Sequence, residues 1–167
     1  MEPKILYILL LSTSLAAQVR PLHTRDLTRL SQPQIAEQLR ASDIVFIPVG
    51  PVATNAIEPS GRAYTYPLAY AMTMAEETKG LFSPGLVWSY PGTTSLASAS
   101  IYASPQSGTQ FLKQLAHSLL RQGFRRQVYI SASHGPAPLT VGTMVREFFE
   151  ETQVPILYIN MDTLLPK

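Results

Sequence analysis

His134 stands between a strand-like run at 127–131 and the turn signal Gly135-Pro136. An imidazole held at a strand end can act as general acid/base near neutral pH or as a metal ligand. The plainer reading is a turn histidine bonded to a backbone carbonyl. Ser131 and Ser133 flank it. No Gly-x-Ser-x-Gly elbow is present, and His23 and His117 fall in an N-terminal loop and on a predicted helix, so the pattern does not spell a Ser-His-Asp triad. A second polar group, Asn55, Glu58, Arg62 and Tyr64, lies around Pro59 and Gly61. Glu58 there could supply a carboxylate base, with Asn55 and Tyr64 holding a polar ligand; a solvated loop carboxylate is the competing reading. Trp88 and Tyr90, next to Pro91-Gly92, could wall a pocket for a small ring or simply belong to the core and its rim.

The elements that must position these residues alternate in type. Residues 43–51 (DIVFIPVGP) form a continuous apolar run ending in Gly50-Pro51, the pattern of a strand covered on both faces. Before it, Ser31 and Pro33 open a short helix with Ile35, Ala36 and Leu39 on one face, ending near Ser42, while 19–30 is polar and irregular. After it, 64–79 is a predicted helix carrying Leu68, Met72 and Ala75, with Pro67 in its first turn and Gly80 as its stop. A second strand is expected at 86–90 and loop at 93–107. A helix at 110–122 then carries Phe111, Leu112, Leu115, Leu119 and Leu120 in a stripe, closed by Gly123, with Phe124 folding back. Strand 127–131, helix 139–151 and strand 154–160 complete the pattern. Such alternation predicts a parallel or mostly parallel sheet with helices on both faces, and ligands beyond the carboxyl ends of its strands.

The 167 residues, 46% hydrophobic and 14% charged, suit one domain with a single core. The net charge is +2 and the basic residues are scattered, which excludes the dense patch of a nucleic-acid binder. At the N-terminus Lys4 and the apolar run 5–11 precede small residues suited to cleavage after Ala16 or Ala17. This reads as a signal peptide over 1–17 and a secreted or periplasmic product. The run is too short for a stable membrane span, which takes roughly 20 apolar residues. With no cysteine the chain has no disulfide and no thiolate metal site.

Three blocks occur in order: Ile47-Pro48-Val49-Gly50-Pro51-Val52, then Tyr90-Pro91-Gly92-Thr93-Thr94-Ser95-Leu96, then Ser118-Leu119 through Gly123-Phe124-Arg125-Arg126 and Val128-Tyr129-Ile130 to Ser133-His134-Gly135. In order and spacing they resemble the signature blocks of the creatininase (creatinine amidohydrolase) family over 43–160. The resemblance implies a three-layer α/β/α fold with a mostly parallel sheet. It also implies descent from metal-dependent amidohydrolases in which a pair of divalent ions activates water. The family's five ligand positions hold Ala53, Asn55, Tyr64, His134 and Pro136 here, so His134 alone keeps a good ligand. The expected organisation is a signal peptide at 1–17, an N-terminal segment and short helix at 18–42, and a shortened creatininase-like domain at 43–167.

Two function classes follow from the resemblance. One is a hydrolase acting on a small polar or amide-containing molecule, with His134 as acid/base, Glu58 as its partner, and Asn55, Tyr64, Trp88, Tyr90 and Ser133 around the substrate. The other keeps the fold, has lost catalysis, and binds a small molecule or a sister subunit. No cofactor is expected beyond a weakly held zinc or manganese ion at His134, and a homo-oligomer is an expected partner state.

Overall fold

The computed structural model of the chain describes residues 22–51, 61–83, 104–133 and 137–164. Four helices and four strands alternate through them. Helix α1 (Gln32–Ala41) begins at Ser31 with Pro33 in its first turn, as the sequence predicts, and the Ser31 backbone N–H donates to Gln34 Oε1 at 2.8 Å. Strand β1 (Ile44–Val49) is buried at five of six positions. Val45, Ile47 and Val49 join Leu112, Leu119 and Phe148 on one face, while Phe46 meets Ala71 and Ala75 on the other. Continuous apolarity in the sequence is thus two-sided burial in the fold.

Helix α2 (Arg62–Thr78) starts two residues before the predicted boundary, which moves Pro67 out of the first turn and into the helix interior. A proline there cannot donate to the carbonyl four residues back, which is that of Ala63. That carbonyl lies against Gly50, where an added Cβ would meet Ala63 O at 2.0 Å and Tyr64 Cα at 2.8 Å. Only glycine lets the end of β1 approach the start of α2 so closely. At the other end Lys79, with φ of 55°, takes the left-handed conformation expected of Gly80. Gly80 serves a different purpose: a Cβ there would lie 2.5 Å from Ile44 Cγ2.

Strand β2 (Leu81–Phe82) follows at once and pairs parallel with β1. The sequence reading put a strand at 86–90, which lies outside the described residues, and passed over β2 because two residues carry no periodicity. The N-terminal segment is not mere irregular chain either. Asp26 bridges Phe82, the Phe82 N–H donates to Arg25 O at 2.9 Å, and Leu22, Leu27 and Leu30 pack on the core.

Helix α3 (Pro105–Gln122) begins five residues earlier than predicted, because Ser104 caps it by accepting from the Ser107 N–H at 3.1 Å and Pro105 presets its first turn. Its buried stripe is Leu112, Ala116 and Leu119, whereas Phe111 is 54% exposed. Gly123 (φ 109°) ends the helix and buried Phe124 folds back, its N–H bonding Leu119 O at 3.0 Å. Strand β3 (Arg126–Ser131), helix α4 (Ala137–Thr152) and strand β4 (Ile156–Asn160) follow. The described strands form one parallel sheet in the order β2-β1-β3-β4, with α2 on one face and α1, α3 and α4 on the other. This is the expected three-layer α/β/α architecture.

Candidate functional site

From β1 the chain crosses by α2 to β2 on one side, and later by α3 to β3 on the other. The strand order therefore reverses between β1 and β3, and it is beyond the carboxyl ends of strands at such a reversal that open α/β sheets bind ligands. Register aligns Val49, Ser131 and Asn160 across this edge. Gly50 carries β1 on to the first turn of α2, where Tyr64 is half-buried.

At the ends of β3 and β4 the residues are polar and joined. Ser131 Oγ lies 2.8 Å from Tyr158 Oη and 3.4 Å from Asn160 Oδ1. A carbonyl oxygen only accepts, so when both bonds are made Ser131 donates to Asn160 and Tyr158 donates to Ser131. The Asn160 amide then donates to Ser133 O at 3.3 Å and caps the short turn Met161–Thr163, its Oδ1 accepting from the Asp162 N–H at 3.4 Å. The two strand ends and the chain leading out of β3 are thereby tied together. Burial raises the Tyr158 phenol above its ordinary value, the Ser131 hydrogen bond offsets part of this, and the Asp162 charge adds to it, so Tyr158 stays neutral and a donor. Ser133 Oγ is buried and has no hydrogen-bond partner among the described residues. A buried hydroxyl left so costs about 1–3 kcal/mol, a penalty that a bound polar group would remove.

Of the residues singled out from the sequence, the structure brings Ser133 and Tyr64 to this carboxyl edge. His134, Glu58, Asn55, Trp88 and Tyr90 lie outside the described residues, and with them the proposed His134–Glu58 pairing. Sequence reasoning missed Tyr158 and Asn160. Their signal was available as polar residues alternating at the end of VPILYIN, opposite a serine ending the preceding strand. Among the described residues no group of three or more His, Asp and Glu could hold a metal ion. A separate groove of about 510 Å³ lies between the N-terminal segment and α2, lined by His23, Arg25, Asp26, Arg29 and Glu76 among others, and contains none of the predicted site residues.

No protein-family model matches the chain, and no curated protein does. Solved structures do, and they define the class of fold: it is that of the creatininases. The chain superposes on creatinine amidohydrolase (creatininase) with a TM-score of 0.76 at 16% identity, covering 83% of this chain and 58% of that one. A creatininase variant of the zinc–zinc type gives 0.77 at 16% identity over 87% and 61%. A variant complexed with creatine gives 0.77 at 15% identity over 86% and 60%. The chain thus has the creatininase fold at low identity and spans about three-fifths of the length of the creatininases it matches.

Proposed function

We propose that the chain is a divergent relative of the creatininases that takes a small polar, amide-containing molecule at the carboxyl ends of β1 and β3. His134 is its acid/base, Glu58 orients the imidazole, and Asn55, Tyr64, Trp88, Tyr90 and Ser133 surround the ligand. The observation that carries this reading is the unsatisfied, buried Ser133 hydroxyl beside the Ser131–Tyr158–Asn160 chain, at the edge where this fold class places ligands. Neutral donors and acceptors of this kind suit an amide better than an ion.

The family's two-metal chemistry does not fit the residues at the corresponding positions. Ala53 and Pro136 offer no side-chain donor, Asn55 offers a weak carbonyl, and the phenol of Tyr64 would have to ionise. No step is therefore derived through a metal pair, and a single zinc or manganese ion at His134 would be weakly held. Those same two positions favour a second reading, in which catalysis has gone and the fold serves as a binding module or subunit. The proposal also includes export, by cleavage of residues 1–17.

The test combines elemental analysis of the purified protein with turnover of small cyclic and linear amides by wild type, His134→Ala and Glu58→Ala. Hydrolysis that both variants lose supports the enzyme. Unchanged turnover in His134→Ala refutes the site. Amide binding by calorimetry without turnover selects the binding module. The mass of the exported protein reports the cleavage point.

A further inference from the structure

The groove between the N-terminal segment and α2 has one wall fixed by backbone and one by helix. Asp26 bridges Phe82 as a strand would, and the Phe82 N–H donates to Arg25 O at 2.9 Å. From α2 come Leu68, Met72 and Glu76, four residues apart and so on one face of the helix. Leu68 packs against the Phe46–Phe82 core cluster, and Met72, 47% exposed, offers an unbranched thioether that adapts to the shape of a neighbour. Leu68, Met72 and Phe82 thus give the groove an apolar lining. Its volume of about 510 Å³ falls in the range of small-molecule sites, roughly 300–1,000 Å³.

The charges around this lining are unevenly committed. Asp26 accepts from the Thr28 N–H at 2.9 Å and the Thr28 hydroxyl at 2.7 Å. Arg25 donates to Gln38 Oε1 at 3.0 Å and Lys79 O at 3.3 Å, and its Nε lies 3.6 Å from Glu76. Arg29, in the last turn of the short 3-10 helix Leu27–Arg29, has no side-chain partner among the described residues, and His23 shares the lining with it. One guanidinium fork is therefore left over beside an apolar surface.

We propose that this groove binds a small amphipathic monocarboxylate, its carboxylate on Arg29 and its hydrocarbon chain along Leu68, Met72 and Phe82. The planar fork of arginine matches the two oxygens of a carboxylate, and a ring N–H of His23 supplies a further donor. Asp26 and Glu76 line the same groove and repel a second negative charge, so a carboxylate suits it better than a phosphate dianion. A cationic amphiphile would meet Arg25 and Arg29. The site is separate from the carboxyl edge of the sheet and does not depend on the reaction proposed there.

Calorimetric titration of the full chain with octanoate tests this. Saturable binding is expected. A methylene wholly removed from water tightens binding about fourfold, and one in a groove open on one side about twofold, so octanoate should bind roughly fourfold tighter than hexanoate. Octylammonium and octyl phosphate should each bind about tenfold more weakly than octanoate. Arg29→Glu is expected to cost about tenfold in octanoate affinity, and Arg29→Lys, which keeps the charge and loses the fork, about threefold. Both changes are on the surface, so the melting temperature of the free protein should hold, which separates loss of the site from loss of the fold. With methionine methyls labelled for NMR and the Met72 signal identified through Met72→Leu, octanoate should shift Met72. It should leave Met144, fully buried on the other face of the sheet, unmoved. No saturable heat at millimolar octanoate, equal affinity for octylammonium, wild-type affinity in Arg29→Glu, or an unmoved Met72 signal would overturn the proposal.

Discussion

Replacing Gly50 with alanine puts one methyl group where the backbone of α2 already lies. The added carbon would meet Ala63 O at 2.0 Å and Ala63 C at 2.5 Å, and ordinary contact begins at 3.4 Å. The start of α2 must therefore retreat by about 1.4 Å, and no side chain can move aside because the obstructing atoms are backbone. Retreat loosens Ala71 and Ala75, both fully buried, from Phe46. The expected loss is about 3 kcal/mol, the upper end of the usual cost of overpacking. For a chain of this size that corresponds to roughly 6–12 °C in melting temperature. The same substitution at Gly142, exposed on α4 with nothing within 4 Å, should instead stabilise by about 0.5–1 kcal/mol through helix propensity. Urea unfolding followed by circular dichroism measures both. If Gly50→Ala falls within about 0.5 kcal/mol of wild type, the argument that this glycine docks β1 on α2 fails.

Ser133→Ala removes the unpartnered buried hydroxyl and should stabilise by about 1 kcal/mol while weakening amide binding; a loss of stability in urea titration would mean that the hydroxyl is satisfied. Gln127 is 1% exposed, its amide donates to Ala116 O at 2.9 Å and Phe124 O at 3.3 Å, and its Oε1 accepts from the buried Tyr129 hydroxyl at 3.4 Å, so Gln127→Leu should cost about 2–3 kcal/mol by removing these bonds in a water-excluded core. On the surface, hydrogen bonds from Lys113 and then His117 hold the Glu151 carboxyl below its ordinary value of 4.5. A lowered folded-state value stabilises above 4.5 and is lost as pH falls through the depressed value, so Glu151→Gln should flatten the melting-temperature profile on that acid limb; parallel wild-type and variant profiles would refute the network.

Long, two-sided burial was easiest to read. The run around β1 and the capped start of α1 carry local signals strong enough to stand alone. Boundaries moved where a cap lay outside the apolar stripe: Ser104-Pro105 starts α3 ahead of its first leucine, and periodicity alone placed Phe111 on the inner face although it is largely exposed. At the candidate site, Ser133 could be found because it stands next to a strand end and a turn. Tyr158 and Asn160 showed only as polar residues alternating at a strand end; their link to Ser131, more than 25 positions earlier, depends on the β3–β4 register. The fold also corrected Gly80, whose role is close packing on Ile44 rather than a left-handed turn.

The central pair of the sheet has a kinetic consequence. β1 finds its main neighbour in β3, and Asp43 and Arg126, which meet at the start of that pair, are 83 positions apart. At a synthesis rate of about 5–20 residues per second, β1 leaves the ribosome roughly 4–17 s before the strand that shields it exists. For that interval a segment buried at five of six positions in the finished fold is solvent-exposed and ready to pair with any free strand edge. Closing so long a loop sets the pace of folding more than any local element does, and lengthening it further raises the entropic cost of closure only logarithmically.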